Sequence, residues 1–250
     1  MMDFNRLAAF FTNKYPDSLA CAWDNDGVML EGVRPVRRAL LSLDATPACA
    51  DYAIKCGFDV IITHHPLIFR PLRSITRGHI YDLAAAGIGV ISLHTRLDAV
   101  RGGVNEALGE LIGLSDIEIC ADDPEHILRT GTLCAEMEFG AFAAHVKQRL
   151  GAPYLNAMTG GRPIKNVAFC GGDGKDFLET AYKCGADAYL TGTLSYNSFT
   201  DYAGRGMGII SAGHFYTENP VLRVLRRDIT SADGGIYTEI FESNPVGAVF

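Results

Sequence analysis

Short apolar strands alternate with helices that stop at glycine, and this alternation restricts the chain to an α/β architecture. Thr46-Pro47 opens one such helix, a hydroxyl cap followed by proline at the first helical position. The helix stops at Gly57, and Val60-Ile61-Ile62-Thr63 follows as a strand. A helix over 77–86 stops at Gly87 and leads to a strand over 89–93. The same reading predicts strands at 34–43, 129–137, 154–158, 164–170, 187–191, 207–211 and 236–241. It places helices at 3–14, 103–112, 138–150, 175–184 and from Asn219-Pro220 onward. Such an order gives a largely parallel or mixed sheet flanked by helices, whose ligand-binding edge lies beyond the carboxyl ends of the strands.

The pattern repeats. Lys55, Cys56, Gly57, Asp59 and Thr63 recur as Lys183, Cys184, Gly185, Asp187 and Thr191, each 128 residues on. Two α/β turns can coincide by chance. The sharper reading is two similar lobes, over about 1–115 and 160–250, joined by a sheet-and-helix segment at 116–159. That segment reads either as an extension of the sheet or as the start of the second lobe.

Composition narrows the function. Of 250 residues, 48% are hydrophobic and 20% charged, a mix that excludes a mainly disordered chain. A net charge of -7 opposes a nonspecific grip on long duplex nucleic acid, while a compact anionic substrate stays open if metal ions supply positive charge. An absent 18-residue apolar run and a start without a basic, then apolar, segment lead us to expect neither a membrane span nor a signal peptide. The seven cysteines are odd in number and widely spaced, with no CxxC, so zinc-finger and dithiol chemistry lack support. Buried, reduced thiols and a cytoplasmic location are expected.

Chemistry gathers at three strand ends. His64-His65-Pro66 follows the first buried strand, although two surface histidines would read the same. His94-Thr95-Arg96-Leu97-Asp98 follows the next, with Asp98 as a hard oxygen ligand or an orienting carboxylate. Arg96 there is either an anion contact or a solvated surface residue. His214-Phe215-Tyr216-Thr217-Glu218 puts an imidazole and an acid on one face if the segment is helical. An acid able to bridge two ions is what a binuclear hydrolytic site requires. Gly171-Gly172-Asp173-Gly174 matches no nucleotide-binding fingerprint; it is either a phosphate cradle or a tight strand-to-helix turn.

These segments resemble the NIF3-like family, also called the GTP cyclohydrolase I type 2-like or DUF34 family. The resemblance runs over nearly the whole chain: Trp23-Asp24-Asn25-Asp26-Gly27, Leu43-Asp44-Ala45-Thr46, Ile61 to Phe69, His94 to Asp98, Gly102-Gly103-Val104-Asn105, and Ser211 to Glu218. It implies a single family unit over 1–250 with a two-lobe α/β fold and two divalent metal ions held by His64, His65, Asp98, His214 and Glu218. Zinc, iron, manganese, cobalt and nickel all suit such ligands. It further implies His94 as an additional ligand or proton shuttle, Glu218 as a catalytic residue that bridges the ions or holds one close to the water, and a homohexamer built as a trimer of dimers. The implied activity is metal-dependent hydrolysis, opening the guanine ring of GTP. Phosphoester cleavage on a small nucleotide and a nonenzymatic metal-binding role are the alternatives. Thr193 stands where relatives commonly carry an acid, and Asn197 near the usual histidine.

Overall fold

The computed structural model describes residues 2–242 and Asn244. Residues 2–97 and 222–242 cluster as one unit and Asp98–Val221 as the other.

The first unit opens with α1 (Phe4–Lys14), capped by the Asp3 carboxylate accepting from the Arg6 amide at 2.7 Å, with Phe4, Leu7 and Phe11 on its buried stripe. Then come β1 (Gly27–Leu30), β2 (Arg38–Ser42), α2 (Pro47–Cys56), β3 (Val60–Thr63), α3 (His79–Ala86), β4 (Gly89–Ser92) and the short α4 (Thr95–Ala99). The five-stranded sheet runs β1-β4-β3-β2 and is completed by β11 (Tyr237–Ile240). β2, β3, β4 and β11 are parallel, and β1 is an antiparallel edge. The central strands β3 and β4 are buried at every position, as a parallel strand covered on both faces must be. The Thr46 hydroxyl accepts from the Cys49 amide, Pro47 fills the first helical position and Gly57 closes α2 at φ 68°, as the sequence predicts.

The second unit holds α5 (Val104–Leu111), β5 (Ser115–Ile119), β6 (Arg129–Met137), α6 (Phe139–Leu150), β7 (Asn156–Met158), β8 (Ile164–Phe169), α7 (Leu178–Lys183), β9 (Ala188–Thr191), α8 (Tyr196–Tyr202), β10 (Gly208–Ser211) and α9 (His214–Glu218). Its six-stranded sheet is ordered β5-β6-β8-β9-β10-β7. The strands β8, β9 and β10 are parallel, with antiparallel strands at both sides. Leu108, Phe142, Val146, Val167, Phe169, Leu190 and Ile210 belong to its core. α10 (Val221–Ala232) belongs to the first unit from Leu222 onward, and its apolar side chains Leu222, Leu225 and Ile229 are buried.

The fold is thus the expected mixed α/β chain with two sheets flanked by helices. Its boundaries differ from the lobes at 1–115 and 160–250. The strands within 116–159 pair into the second sheet, so that stretch extends a lobe rather than connecting two. The last strand returns to β2, which places the end of the described chain in the first unit.

The repeated residues do repeated work. In the first unit the Asp59 carboxylate accepts from the amides of Arg37 and Arg38 at 2.8 and 3.0 Å. In the second, the Asp187 carboxylate accepts from the amides of Lys165 and Asn166 at 3.0 and 2.8 Å. Both pairs sit at the start of a parallel strand, and the same offset of 128 relates donors and acceptors alike. Gly57 and Gly185 both have positive φ, 68° and 76°, where a side chain would strain the backbone.

Candidate functional site

In the first unit the site is assembled from the ends of β3 and β4. After Thr63 the backbone is pinned: the Thr63 hydroxyl donates to the His65 carbonyl at 2.8 Å, and the His65 amide donates to the Leu43 carbonyl at 2.9 Å. Three imidazoles therefore meet at one edge. Ring centroids are 4.9 Å apart for His64 and His65, 5.4 Å for His64 and His94, and 5.8 Å for His65 and His94.

Each of these rings has its Nδ1 committed to an oxygen. His64 Nδ1 lies 2.9 Å from the Leu93 carbonyl, His65 Nδ1 2.8 Å from Asp44 Oδ1, and His94 Nδ1 2.8 Å from Asp24 Oδ1. A carbonyl or carboxylate only accepts, so Nδ1 is the donor in each contact and Nε2 is turned to the opposite side of the ring. That is the arrangement in which a ligating histidine is oriented by a carboxylate or carbonyl behind it. Asp24 is buried, and burial alone would raise its pKa. The hydrogen bonds from His94 and Thr95 outweigh this and hold the carboxyl well below the usual range. It also accepts from the amide and hydroxyl of Thr95 at 3.0 and 2.6 Å, which fixes the start of α4.

In the second unit α9 is helical, so His214 and Glu218 do share a face. His214 Nε2 and Glu218 Oε2 are 3.0 Å apart. Thr193 Oγ1 lies 3.4 Å from His214 Nδ1. The turn Gly171-Gly172 is packed against this pair. A Cβ on Gly172 would overlap the Glu218 carboxylate, and one on Gly171 would come within 3.1 Å of Glu218 Cγ. The glycine run is therefore a tight turn that makes room for Glu218. Asp98 lies on α4, and its carbonyl accepts from Asn105 Nδ2 at 3.0 Å and from Arg129 Nη2 at 3.4 Å. Burial pushes the Cys170 thiol up to about 12, with the charges of Asp98 and Glu218 adding to the rise, so this cysteine is a neutral core group.

The structure thus gathers His64, His65 and His94 in one unit and pairs His214 with Glu218 in the other. Imidazole in the first unit, and imidazole with carboxylate in the second, are both donor types that suit a divalent metal ion. Arg96 fits neither of its sequence readings. It is buried, with Nε and Nη2 on Asp26 at 2.6 and 2.5 Å and Nη1 on Asp17 and the Tyr15 carbonyl at 2.5 and 3.0 Å. It ties α4 to the N-terminal segment and is spent structurally. The orienting roles of Asp24 and Asp44 escaped the sequence reading, although both lie in recognisable segments. Of the seven cysteines, all free, Cys49, Cys120 and Cys170 are buried, while Cys134 and Cys184 are exposed, against the expectation of burial. Among the described residues no helix is long and apolar enough to cross a membrane.

Fold and donors together define a class of protein: a two-sheet α/β chain that brings imidazole and carboxylate groups to the ends of its parallel strands. A sequence model of the family Duf34/NIF3 (NGG1p interacting factor 3) matches residues 2–245, and the chain belongs to this family. A Clostridium perfringens (strain 13 / Type A) protein described as a GTP cyclohydrolase 1 type 2 homolog is 33% identical over 232 residues, covering 88% of each chain. A Staphylococcus aureus hypothetical protein of known crystal structure superimposes with a TM-score of 0.90 at 24% identity, over 100% of this chain and 99% of that one. A Bacillus cereus protein related to NIF3 does so with a TM-score of 0.87 at 22% identity, over 99% of both.

Proposed function

We propose that the protein is a metal-dependent hydrolase acting on a purine nucleotide, with His64, His65, Asp98, His214 and Glu218 as ligands of two divalent ions. The observation that carries this reading is the uniform hydrogen-bonding pattern of the first unit, where three imidazoles each commit Nδ1 to an oxygen, the arrangement in which Nε2 serves as ligand atom. The family's relatives described as GTP cyclohydrolase 1 type 2 homologs support the choice of substrate. Bound ions would supply Lewis acidity and lower the pKa of water toward neutrality. The chain's own residues do the rest. Asp44 and Asp24 hold the rings of His65 and His94 in register. Glu218 has its carboxylate seated against Gly171-Gly172 and 3.0 Å from His214 Nε2, which places both donors at one point of the second unit. His94 is assigned the holding or passing of a proton at Nε2. A homohexameric assembly and a cytoplasmic location belong to the same proposal.

The deciding experiment is metal content, by plasma mass spectrometry, of protein purified without chelator or histidine tag. About two equivalents per chain are expected, falling in His64→Ala and Glu218→Ala. Undiminished, stoichiometric metal in both variants would overturn the ligand assignment. Formate and phosphate released from GTP, assayed separately, then distinguish ring opening from phosphoester cleavage.

A further inference from the structure

Trp23, the only tryptophan of the chain, is 60% exposed, and Phe69 is 47% exposed. Scattered surface apolar residues are ordinary, but these two are not scattered. Trp23 and Phe69 meet edge to face with centroids 6.2 Å apart and planes at 67°. Both also meet His94, at 6.2 Å and 78° for Trp23 and at 6.1 Å and 87° for Phe69. An edge-to-face contact occupies a face of only one of its two rings, and with Trp23 60% and Phe69 47% exposed much of the aromatic surface of the pair still meets solvent.

The rings are carried on pinned backbone. Asn25 Nδ2 donates to the Ile68 carbonyl and so ties the segment bearing Trp23 to the one bearing Phe69. Asp24, between Trp23 and Asn25, is buried and bound to His94 and Thr95. His94, the third ring, lies one ring contact from both His64 and His65. An exposed, prearranged aromatic pair thus stands beside the imidazole donors.

We infer that Trp23 and Phe69 form a stacking subsite that receives the planar heteroaromatic ring of the substrate and sets it against the donor histidines. This deepens the proposed function and rests on it for the choice of a purine as probe. Stacking on aromatic side chains tolerates any base, because every base has a π face, so the pair would select for a planar ring rather than for one particular base. Recognition of exocyclic groups would fall to other residues.

The single tryptophan makes the test direct, since all indole emission reports on Trp23. The full chain is titrated with guanosine 5′-monophosphate and, separately, with ribose 5-phosphate, with excitation at the indole red edge. Saturable quenching by the nucleotide and none by the sugar phosphate is expected. Phe69→Ala should weaken nucleotide binding by roughly 5- to 100-fold, from the typical cost of deleting one stacking ring. Leu72→Ala, an equally exposed apolar residue in the same loop, should leave it unchanged. Calorimetric titration of Trp23→Ala should show a comparable loss where the fluorescent reporter is gone. Metal content is measured on every sample. Normal metal with no nucleotide quenching, equal quenching by ribose 5-phosphate, or unaltered binding in Phe69→Ala would each overturn the stacking subsite while leaving the metal ligands intact. Specific quenching in protein that cannot be loaded with metal would support the subsite and overturn the metal reading instead.

Discussion

Arg129 on β6 is 0% exposed, and its guanidinium is used at every nitrogen. Nε reaches Glu106 Oε1 at 2.5 Å, Nη1 the carbonyls of His126 and Ile127 at 2.5 and 3.2 Å, and Nη2 the carbonyls of Ala99 and Val100 at 2.9 and 3.2 Å. Replacing it by alanine strands a buried Glu106 carboxylate and several carbonyls, and leaves a void. Breaking a buried pair by removing one partner costs about 3–5 kcal/mol. For a chain of this size each kcal/mol moves Tm by about 2–4 °C, so Arg129→Ala should melt about 6–20 °C lower. Calorimetry at fixed protein concentration measures this, and two controls isolate the cause. The Arg101–Glu118 pair has the same 2.5 Å separation but is 59% and 65% exposed, so solvent screens it and Arg101→Ala should barely move the melting temperature. The double variant Glu106→Gln, Arg129→Met removes both charges and should recover part of the loss. Equal shifts for Arg129→Ala and Arg101→Ala would refute the reasoning, because burial would then carry no weight. Since the Asp98 carbonyl also faces Arg129, the destabilised variant should bind metal more weakly as well.

Three further outcomes follow from single contacts. Gly172→Ala must place a methyl group at φ 64° against the Glu218 carboxylate, so metal content should fall in a chain that still folds; full occupancy by plasma mass spectrometry would contradict this. Asp24→Asn should lose stability at neutral pH relative to the parent. The folded pKa of Asp24 lies below its unfolded value, so its contribution is present above about pH 4, the ordinary carboxylate range, and is lost as pH falls through the folded pKa; urea titrations at several pH values should show the gap closing on acidification. Mass mapping after alkylation at pH 8 should find Cys134 labelled first, and Cys49 and Cys170 protected, their thiols pushed by burial up to about 11 and about 12; early labelling of Cys170 would mean that its core opens.

Elements with a strong period were legible in the sequence. The β3, β4, β9 and β10 runs are apolar up to a closing Thr or Ser because they are buried at every position, and the helices before β3, β4 and β9 end at or just before the expected glycines. β1 and β5 were missed because they are sheet edges. β1 is four residues of which none is buried, and β5 alternates only over the four residues Asp-Ile-Glu-Ile, too short a run to stand out. The strand expected at 34–43 is shorter because Asp59 takes the amides of Arg37 and Arg38 before β2 begins its ladder. Topology was not legible at all: that the last strand joins β2 depends on a parallel register between residues some 200 positions apart. Within the site, the donors themselves stand out as His and Asp/Glu at strand ends. Their orienting partners do not, since Asp24 acts 70 residues away from His94 and Asp44 21 residues away from His65.

The repeat explains why the second unit supplies different chemistry. At the shared offset of 128, Gly192 and Thr193 occupy the positions of His64 and His65. A Cβ on Gly192 would lie 2.6 Å from the Gly172 carbonyl oxygen and from Thr217 Oγ1, and 2.9 Å from His214 Cα, so no imidazole fits at position 192. The imidazole comes instead from the strand beyond, as His214 on α9, with its carboxylate one turn further on. Thr193 Oγ1 lies 3.4 Å from the Nδ1 of this histidine, so a carboxylate at position 193 would stand behind the ring as a carbonyl or carboxylate stands at 2.8–2.9 Å behind each of the other three. An orienting carboxylate raises the basicity of a ligating ring, and loss of such a partner typically costs 10–100-fold in metal affinity. Thr193→Asp should therefore tighten metal binding by roughly tenfold, read from competition with a chromophoric chelator. Unchanged or weaker affinity in a variant that folds normally would mean that His214 is not a ligand held in this way.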